Sequence, residues 1–392
     1  MRRVILIVAM TLAAAPASAQ QAASPQQTPT DVISFLVTNQ SVQTGDFQKD
    51  QAAAAATRDT IARALQVSLA TVPIASSSSG FVYRLDPEIG TVSRVSDSFG
   101  TFFVERAATS GRGRVSFGAS GTTAAYDELD GANLRDGTLI TTSNHFTDES
   151  APFDTESLTL KIRTSTVTIY GSYGITDRFE IGGAVPFVQL NIDGSRLNVY
   201  RGQSFLQASG TASASGMADI ALRAKYLLVG SRRAGFAAAG EVRLPTGNEE
   251  QLLGAGTTAV RLMGVGSIEN ARAGAHGNFA IVRGGVSDEV DLGGALSVAA
   301  SPRVTIAGEI LVRRLSDVRQ VTTVAAPHPT IVGVITERLV PGDTVQTLSS
   351  AVTGIKWNAH ARMVLTGQVL WRLGQAGLTA PFVPSIALDY LF

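Results

Sequence analysis

The last eleven residues, FVPSIALDYLF over positions 382–392, decide the fold. Phe382, Ile386, Leu388, Tyr390 and Phe392 are apolar or aromatic, and Ser385, Ala387 and Asp389 fall between them. Side chains of a strand point alternately to its two faces, so this spacing predicts a β-strand with one apolar face. An edge strand of a soluble sheet has the same period, so the stretch must be read together with the rest of the chain.

The same period recurs upstream. Ala361 to Leu373 sets Met363, Leu365, Val369 and Trp371 against Arg362, Thr366, Gln368 and Arg372. Arg303 to Leu315 sets Val304, Ile306, Ile310 and Val312 against Thr305, Glu309 and Arg313. Glu289 to Ala299 opposes Val290, Leu292, Leu296 and Val298 to Asp291 and Ser297, and Met217 to Val229 opposes Ile220, Leu222, Tyr226 and Leu228 to Asp219, Arg223 and Lys225. A soluble sandwich turns the charged face to water, whereas a transmembrane barrel turns the apolar face to lipid and the charged face to its lumen.

Two features favour the barrel. The first is export. Arg2 and Arg3, the apolar run Val4 to Ala15 and the small residues Ala17-Ser18-Ala19 form the pattern of a cleaved signal peptide over residues 1–19, with the mature chain starting near Gln20. After it, no stretch supplies the ~20 charge-free apolar residues of a spanning helix. Ala64 to Tyr83 is interrupted by Gln66, Pro73 and Ser76 to Ser79, and Gln320 to Thr336 by Pro327, His328 and Pro329. A chain that enters lipid without such helices satisfies its backbone polar groups by closing a barrel.

The second feature is loop asymmetry. Short connections at Gly174 to Asp177, Gly230 to Ala234, Ile268 to Ala271, Ala300 to Arg303 and Asn358 to Ala361 alternate with longer ones near Asp193 to Gly216, Thr246 to Thr257, Ser316 to Val345 and Gly374 to Pro381; Gly284 to Asp288 is a moderately short member of the second set. Barrels with tight periplasmic turns and long outer loops show this alternation. Counting back from the C-terminus gives a transmembrane antiparallel β-barrel of about 12 strands, the first near Arg112 to Thr122. A hairpin read over Phe81 to Leu85 and Thr91 to Val95 makes 14 the alternative.

The expected organisation is a signal peptide over 1–19, a disordered and helical segment over 20–79 and the barrel over 80–392. Gln20 to Thr30 is rich in Gln, Pro, Ala and Ser, which predicts disorder. Ile61, Leu65 and Leu69 recur at helical spacing within Asp50 to Val72, giving a helix that either hangs in the periplasm or plugs the lumen.

The segments YGITDRFEIG at 173–182, GMADIALRAKY at 216–226 and EVRLPTG at 241–247 resemble outer membrane transporters associated with a phenol meta-pathway. That group is loosely similar to barrels that import fatty acids and aromatic hydrocarbons. The resemblance implies passive uptake of small molecules, apolar or aromatic ones among them. The terminal strand likewise resembles the insertion signal read by the barrel-assembly machinery, with Ile386, Leu388, Tyr390 and Phe392 as its apolar face.

If the apolar face meets lipid, the lumen receives Lys161, Arg163, Asp219, Arg223, Lys225, Glu241, Arg243, Arg261, Glu309, Arg313, Lys356, Arg362 and Arg372. Such a basic list predicts either anion preference or cross-strand pairing with the acids, as of Asp219 or Glu241 with Arg223 or Arg243. Tyr170, Tyr173, Phe179, Trp357, Trp371, Tyr390 and Phe392 fall near strand ends, where membrane-interface girdles sit.

Other chemistries find little support. The 392 residues include no cysteine, and Lys+Arg and Asp+Glu stand at 32 each, or 30 against 32 once Arg2 and Arg3 leave with the signal, so no nucleic-acid partner is expected. His145, His276, His328 and His360 are scattered, Ser143-Asn144-His145 lies in a long loop, and there is no G-x-S-x-G elbow or H-E-x-x-H, so neither an enzyme nor a cofactor is expected. Expected partners are outer membrane lipid, the assembly machinery and a small solute. Two functions stay open: a channel for small molecules, or a structural or receptor-like barrel with a closed lumen and working outer loops.

Overall fold

The computed structural model describes residues 27–37, 47–70, 83–86, 91–94, 96–231, 233–328, 330–360 and 362–392. The expected signal peptide and most of the expected disordered stretch lie outside the described residues. Strands β1 (Val115–Tyr126), β2 (Asp154–Gly174) and β3 (Phe179–Tyr200) open an antiparallel meander. Its fourth wall strand is interrupted at Ala218-Asp219 into β4 (Gln203–Met217) and β5 (Ile220–Gly230), both paired to β3. The wall continues through β6 (Ala234–Leu244), β7 (Ala259–Glu269), β8 (Ala273–Gly284), β9 (Glu289–Ser301), β10 (Val304–Pro327), β11 (Val334–His360), β12 (Met363–Arg372) and β13 (Phe382–Leu391). Pairing of β13 with β1, from Ser385↔Thr122 to Leu391↔Ser116, closes a ring of twelve. The 83–86 and 91–94 strands do form the expected hairpin, but as a separate two-stranded sheet, so the alternative of fourteen is not realised.

Closure leaves no wall edge unpaired, and an apolar belt faces outward. Leu262, Leu292, Leu296, Ile306, Ile310 and Ile386 are each more than half exposed, while Thr305, Glu309, Lys356 and Asp389 on the intervening positions are buried inside. That inversion of the soluble pattern is what a bilayer selects, because acyl chains solvate apolar side chains and leave backbone polar groups unsatisfied unless the sheet closes.

Two stretches expected as long loops are paired strands. β3 and β4 run on to Tyr200↔Gln203, and β10 and β11 to Pro327↔Ile335. β10 has 24 residues and β11 has 27, against the 9–11 that cross a membrane, so these hairpins rise well beyond the bilayer. Runs such as Ser209 to Ser215 carry too little apolar content to be read as strand from sequence. A strand over Leu139–Phe146 joins β2 to β11 and bridges the two tall hairpins into one upper wall.

Inside that upper wall sit α1 (Pro29–Val37) and α2 (Phe47–Ala70). α1 begins with a capping box: Asp31 N donates to Thr28 Oγ1 at 3.1 Å and Thr28 N to Asp31 Oδ2 at 3.0 Å. It buries Val32, Ile33, Leu36 and Val37 in one core with Ile61 and Leu65 of α2, Leu158, Leu160 and Ile162 of β2, and Leu190 and Ile192 of β3. The expected helix within 50–72 is thus present, whereas α1, nine residues long, was not anticipated.

A candidate transport site in a filled lumen

The lower lumen is occupied by residues 96–110. Ser96 Oγ donates to Asn270 O at 3.1 Å and Asp97 N to Ala271 O at 2.9 Å, so the segment starts at a short turn. It rises into the barrel and returns to the same end, where Thr109 Oγ1 donates to Asp177 O at 2.7 Å. A loop buried inside a barrel needs partners for its own backbone polar groups. The wall supplies them. Phe99 N donates to Thr305 Oγ1 at 2.8 Å, Ala107 N to Ser267 Oγ at 2.9 Å and Ser110 N to Glu180 Oε2 at 2.6 Å.

At the top of the loop one carboxylate gathers three donors. Phe102 N, Phe103 N and Val104 N all point at Glu309, the last two at 3.0 and 3.1 Å. Glu105 pairs with Arg223 and, at 3.3 Å, with Lys225; Arg106, wholly buried, pairs with Glu269 at 2.9 Å. Gly100 is required by this path: its φ is +75° and an added Cβ would lie 2.6 Å from Arg106 Cδ. The expected hairpin over 81–95 stops short of this loop, which was not anticipated because nothing in the composition of 96–110 separates a strand from an irregular segment whose polar groups are satisfied by distant residues.

Above and beside the loop the lumen divides. One cavity, about 210 Å³, lies between Phe102 of the loop and Ser68 of α2. Hydroxyls of Thr122, Thr164, Thr166 and Thr168 line one side, and Leu311, Leu348 and Leu370 the other. Tyr170, which donates to Asp389 Oδ1 at 2.9 Å, and Lys356 also border it. The second, about 90 Å³, is charged and lined by an ion-pair ladder across β5 to β10: Arg223–Glu241 at 2.5 Å, Arg243–Glu241 at 3.0 Å, Arg261–Asp291 at 3.2 Å and Arg313–Glu289 at 2.8 Å. Phe103 and Leu311 border both spaces.

Ten of the thirteen residues expected to line the lumen lie on its inner side: Asp219, Arg223, Lys225, Glu241, Arg243, Arg261, Glu309, Arg313, Lys356 and Arg372. Their arrangement is the pairing alternative, not a free basic ring. Asp219 accepts Gly247 N and Ala255 N at 3.0 and 2.8 Å, fastening an outer loop, and Arg372 pairs with Glu128. Three placements need correction. Lys161 and Arg163 are exposed on the outside of β2, because above the bilayer that strand turns Leu160 and Ile162 inward onto α1 and its polar side to water. Arg362 is exposed in the short turn before β12, outside the lumen. Glu105 and Arg106 were missed; their signal would have been two charges inside an otherwise apolar and hydroxyl-rich run. Ile386, Leu388, Tyr390 and Phe392 all face outward. Ser143 Oγ donates to Glu337 Oε2 at 3.0 Å, so it is not paired with His145.

This architecture defines a transmembrane β-barrel of the outer membrane with an occupied lumen. No family model and no curated protein matches the chain. Among solved structures it is similar to an outer membrane channel from Pseudomonas putida F1, at 12% identity over 73% of this chain and 98% of that one, with a TM-score of 0.48. It is also similar to the NanC porin at 6% identity, 69% and 98% coverage and a TM-score of 0.37. The outer membrane protease OmpT from Escherichia coli matches at 8% identity, 71% and 97% coverage and a TM-score of 0.29. A functional reading therefore rests on the lumen itself.

Proposed function

We propose that this barrel is a gated outer membrane channel for small molecules, apolar and aromatic ones included, held shut by the 96–110 loop below and the two helices above. The observation that carries the reading is the cavity of about 210 Å³ between them. A cavity of ~150 Å³ lined by apolar groups admits benzene, so this one has room for a one-ring solute. Its hydroxyls give such a solute orienting partners, and Lys356 and Asp389 stand at its border. Passage requires the loop to leave, and its anchors are discrete hydrogen bonds and ion pairs that can exchange for water or solute. The residues within the lumen serve as loop anchors first and as pore lining once it has moved.

The expected division belongs to the same proposal: a cleaved leader over 1–19, a segment over 20–79 that includes the upper plug, and an outer membrane body over 80–392. So does insertion by the assembly machinery through Ile386, Leu388, Tyr390 and Phe392, which their shared outward face supports.

Liposome swelling tests the channel. The wild type should admit phenol-sized neutral solutes and arabinose slowly, and a variant with Phe99 to Glu105 replaced by a short Gly-Ser link should admit them at least tenfold faster. A refolded variant that stays impermeable would leave the receptor-like barrel, whose filled ends are its own argument, as the reading.

A further inference from the structure

Every strand that leaves the short-turn end is preceded by an arginine. Arg114, Arg178, Arg233, Arg272, Arg303 and Arg362 stand immediately before β1, β3, β6, β8, β10 and β12. The backbone places all six alike. Each arginine carbonyl accepts an N–H from the end of the neighbouring strand: Gly174 to Arg114, Leu227 to Arg178, Glu269 to Arg233, Ala299 to Arg272, Asn358 to Arg303 and Leu391 to Arg362. The five in hairpin turns are exposed, and among the described residues none of those five forms an ion pair.

Turn chemistry does not account for this. Tight turns select Gly, Pro, Asn, Asp or Ser for backbone reasons, and arginine meets none of them. What the six positions share is their depth and their spacing. Just inside them lies the lower girdle, with Tyr226 against Phe179, Tyr390 against Phe392, and Trp357 opposite Val304. Aromatic girdles mark the edge of the hydrocarbon, so the arginines stand at the level of the lipid headgroups. With strands ~4.8 Å apart and tilted ~40°, one arginine on every second strand recurs about every 12 Å around the rim. A protein partner would select a patch on one side. A ring that surrounds the barrel fits the lipid that surrounds it.

We propose that this ring binds the phosphates of anionic phospholipids in the leaflet facing the short turns. The planar guanidinium suits a phosphate through paired N–H donors, and fixed positive charge at a membrane surface enriches anionic lipid. Among the described residues Asp97 and Asp177 are the exposed acids of these turns, and Asp177 is engaged by Arg112 N at 3.1 Å, so the six arginines outnumber them. The inference rests on membrane insertion alone; a sealed lumen leaves it standing.

The chain supplies its own reporter. It has two tryptophans, Trp357 at this rim and Trp371 beside Phe382 towards the other end, so Trp371→Phe isolates the rim. The full chain reconstituted in bilayers is titrated with brominated phosphatidylglycerol or brominated phosphatidylcholine, and quenching of Trp357 gives the relative occupancy. Phosphatidylglycerol should be preferred about fivefold or more at low ionic strength, with the preference falling towards one as salt rises. Replacing all six arginines by glutamine should remove it. If that variant does not fold, judged by heat-modifiable gel mobility, Arg303→Gln alone must cut the preference at least in half. Equal quenching by the two lipids, a preference indifferent to salt, or one that survives the substitutions overturns the proposal. So does binding of polyglutamate by a wild type that shows no lipid preference, which would give the ring to a protein.

Discussion

The lower and upper halves of β2 are one strand in two solvents. From Val167 to Tyr173 its apolar side chains, Val167, Ile169 and Tyr173, face outward, and Thr166 and Thr168 face in. From Leu158 to Ile162 the apolar side chains face in, against α1, and Lys161 and Arg163 face out. The alternation never breaks; what changes is which face is greasy. Period two reports that a strand has two environments, and a bilayer and a helix can each supply the apolar one.

Five substitutions can break or sharpen that contrast. The largest effect belongs to the lipid face: Ile169→Lys should cost about 2–4 kcal/mol of barrel stability, read by urea unfolding in vesicles, while Lys161→Leu, eight residues up the strand, should stay within about 0.5 kcal/mol. Equal costs would put both positions in one environment. Next, Glu309→Ala takes the acceptor from Phe102 N, Phe103 N and Val104 N. Hydrogen bonds to a charged group contribute about 1.5–3 kcal/mol, so planar-bilayer recordings should show open events ten- to hundredfold more often than in wild type. An unchanged record would mean that the loop is held elsewhere.

Gly194→Val acts only on the upper half. Its Cβ would lie 2.4 Å from Leu36 Cδ1 and 2.8 Å from Leu160 Cδ2, so α1 should be displaced at about 1–3 kcal/mol. Protease should then cut 29–37 while heat-modifiable mobility of the barrel persists. The smallest effect is a pH dependence. Asp130 in the outer loops accepts Val321 N at 2.8 Å and Gly377 N at 2.6 Å, yet burial holds its carboxyl above the ordinary range. A folded value above the unfolded 3.8 means the stabilisation is complete below that pH and is lost as pH rises through the folded value. Thermal unfolding should therefore show wild type losing stability relative to Asp130→Asn between pH 4 and neutral. A gap that does not change with pH would remove Asp130 from the account.

Much of the wall was readable. Local alternation located β5, β9, β10, β12 and β13, and the turn spacing gave their connectivity, because those features depend on neighbours along the chain. The site was less so. Arg223 and Glu241 are eighteen positions apart and meet by register, and Glu309 finds its partners over two hundred positions upstream. No local pattern encodes such distances.

By itself, then, the sequence determined a closed sheet of about twelve strands with one end of tight turns, since alternation and turn residues are local properties of the chain. Only the tertiary structure decided that the lumen is filled, that two supposed loops are walls, and that β2 exchanges its faces above the membrane. Each of those depends on what packs against a strand from far away, and an alternating strand looks the same whether lipid or a helix covers its apolar side.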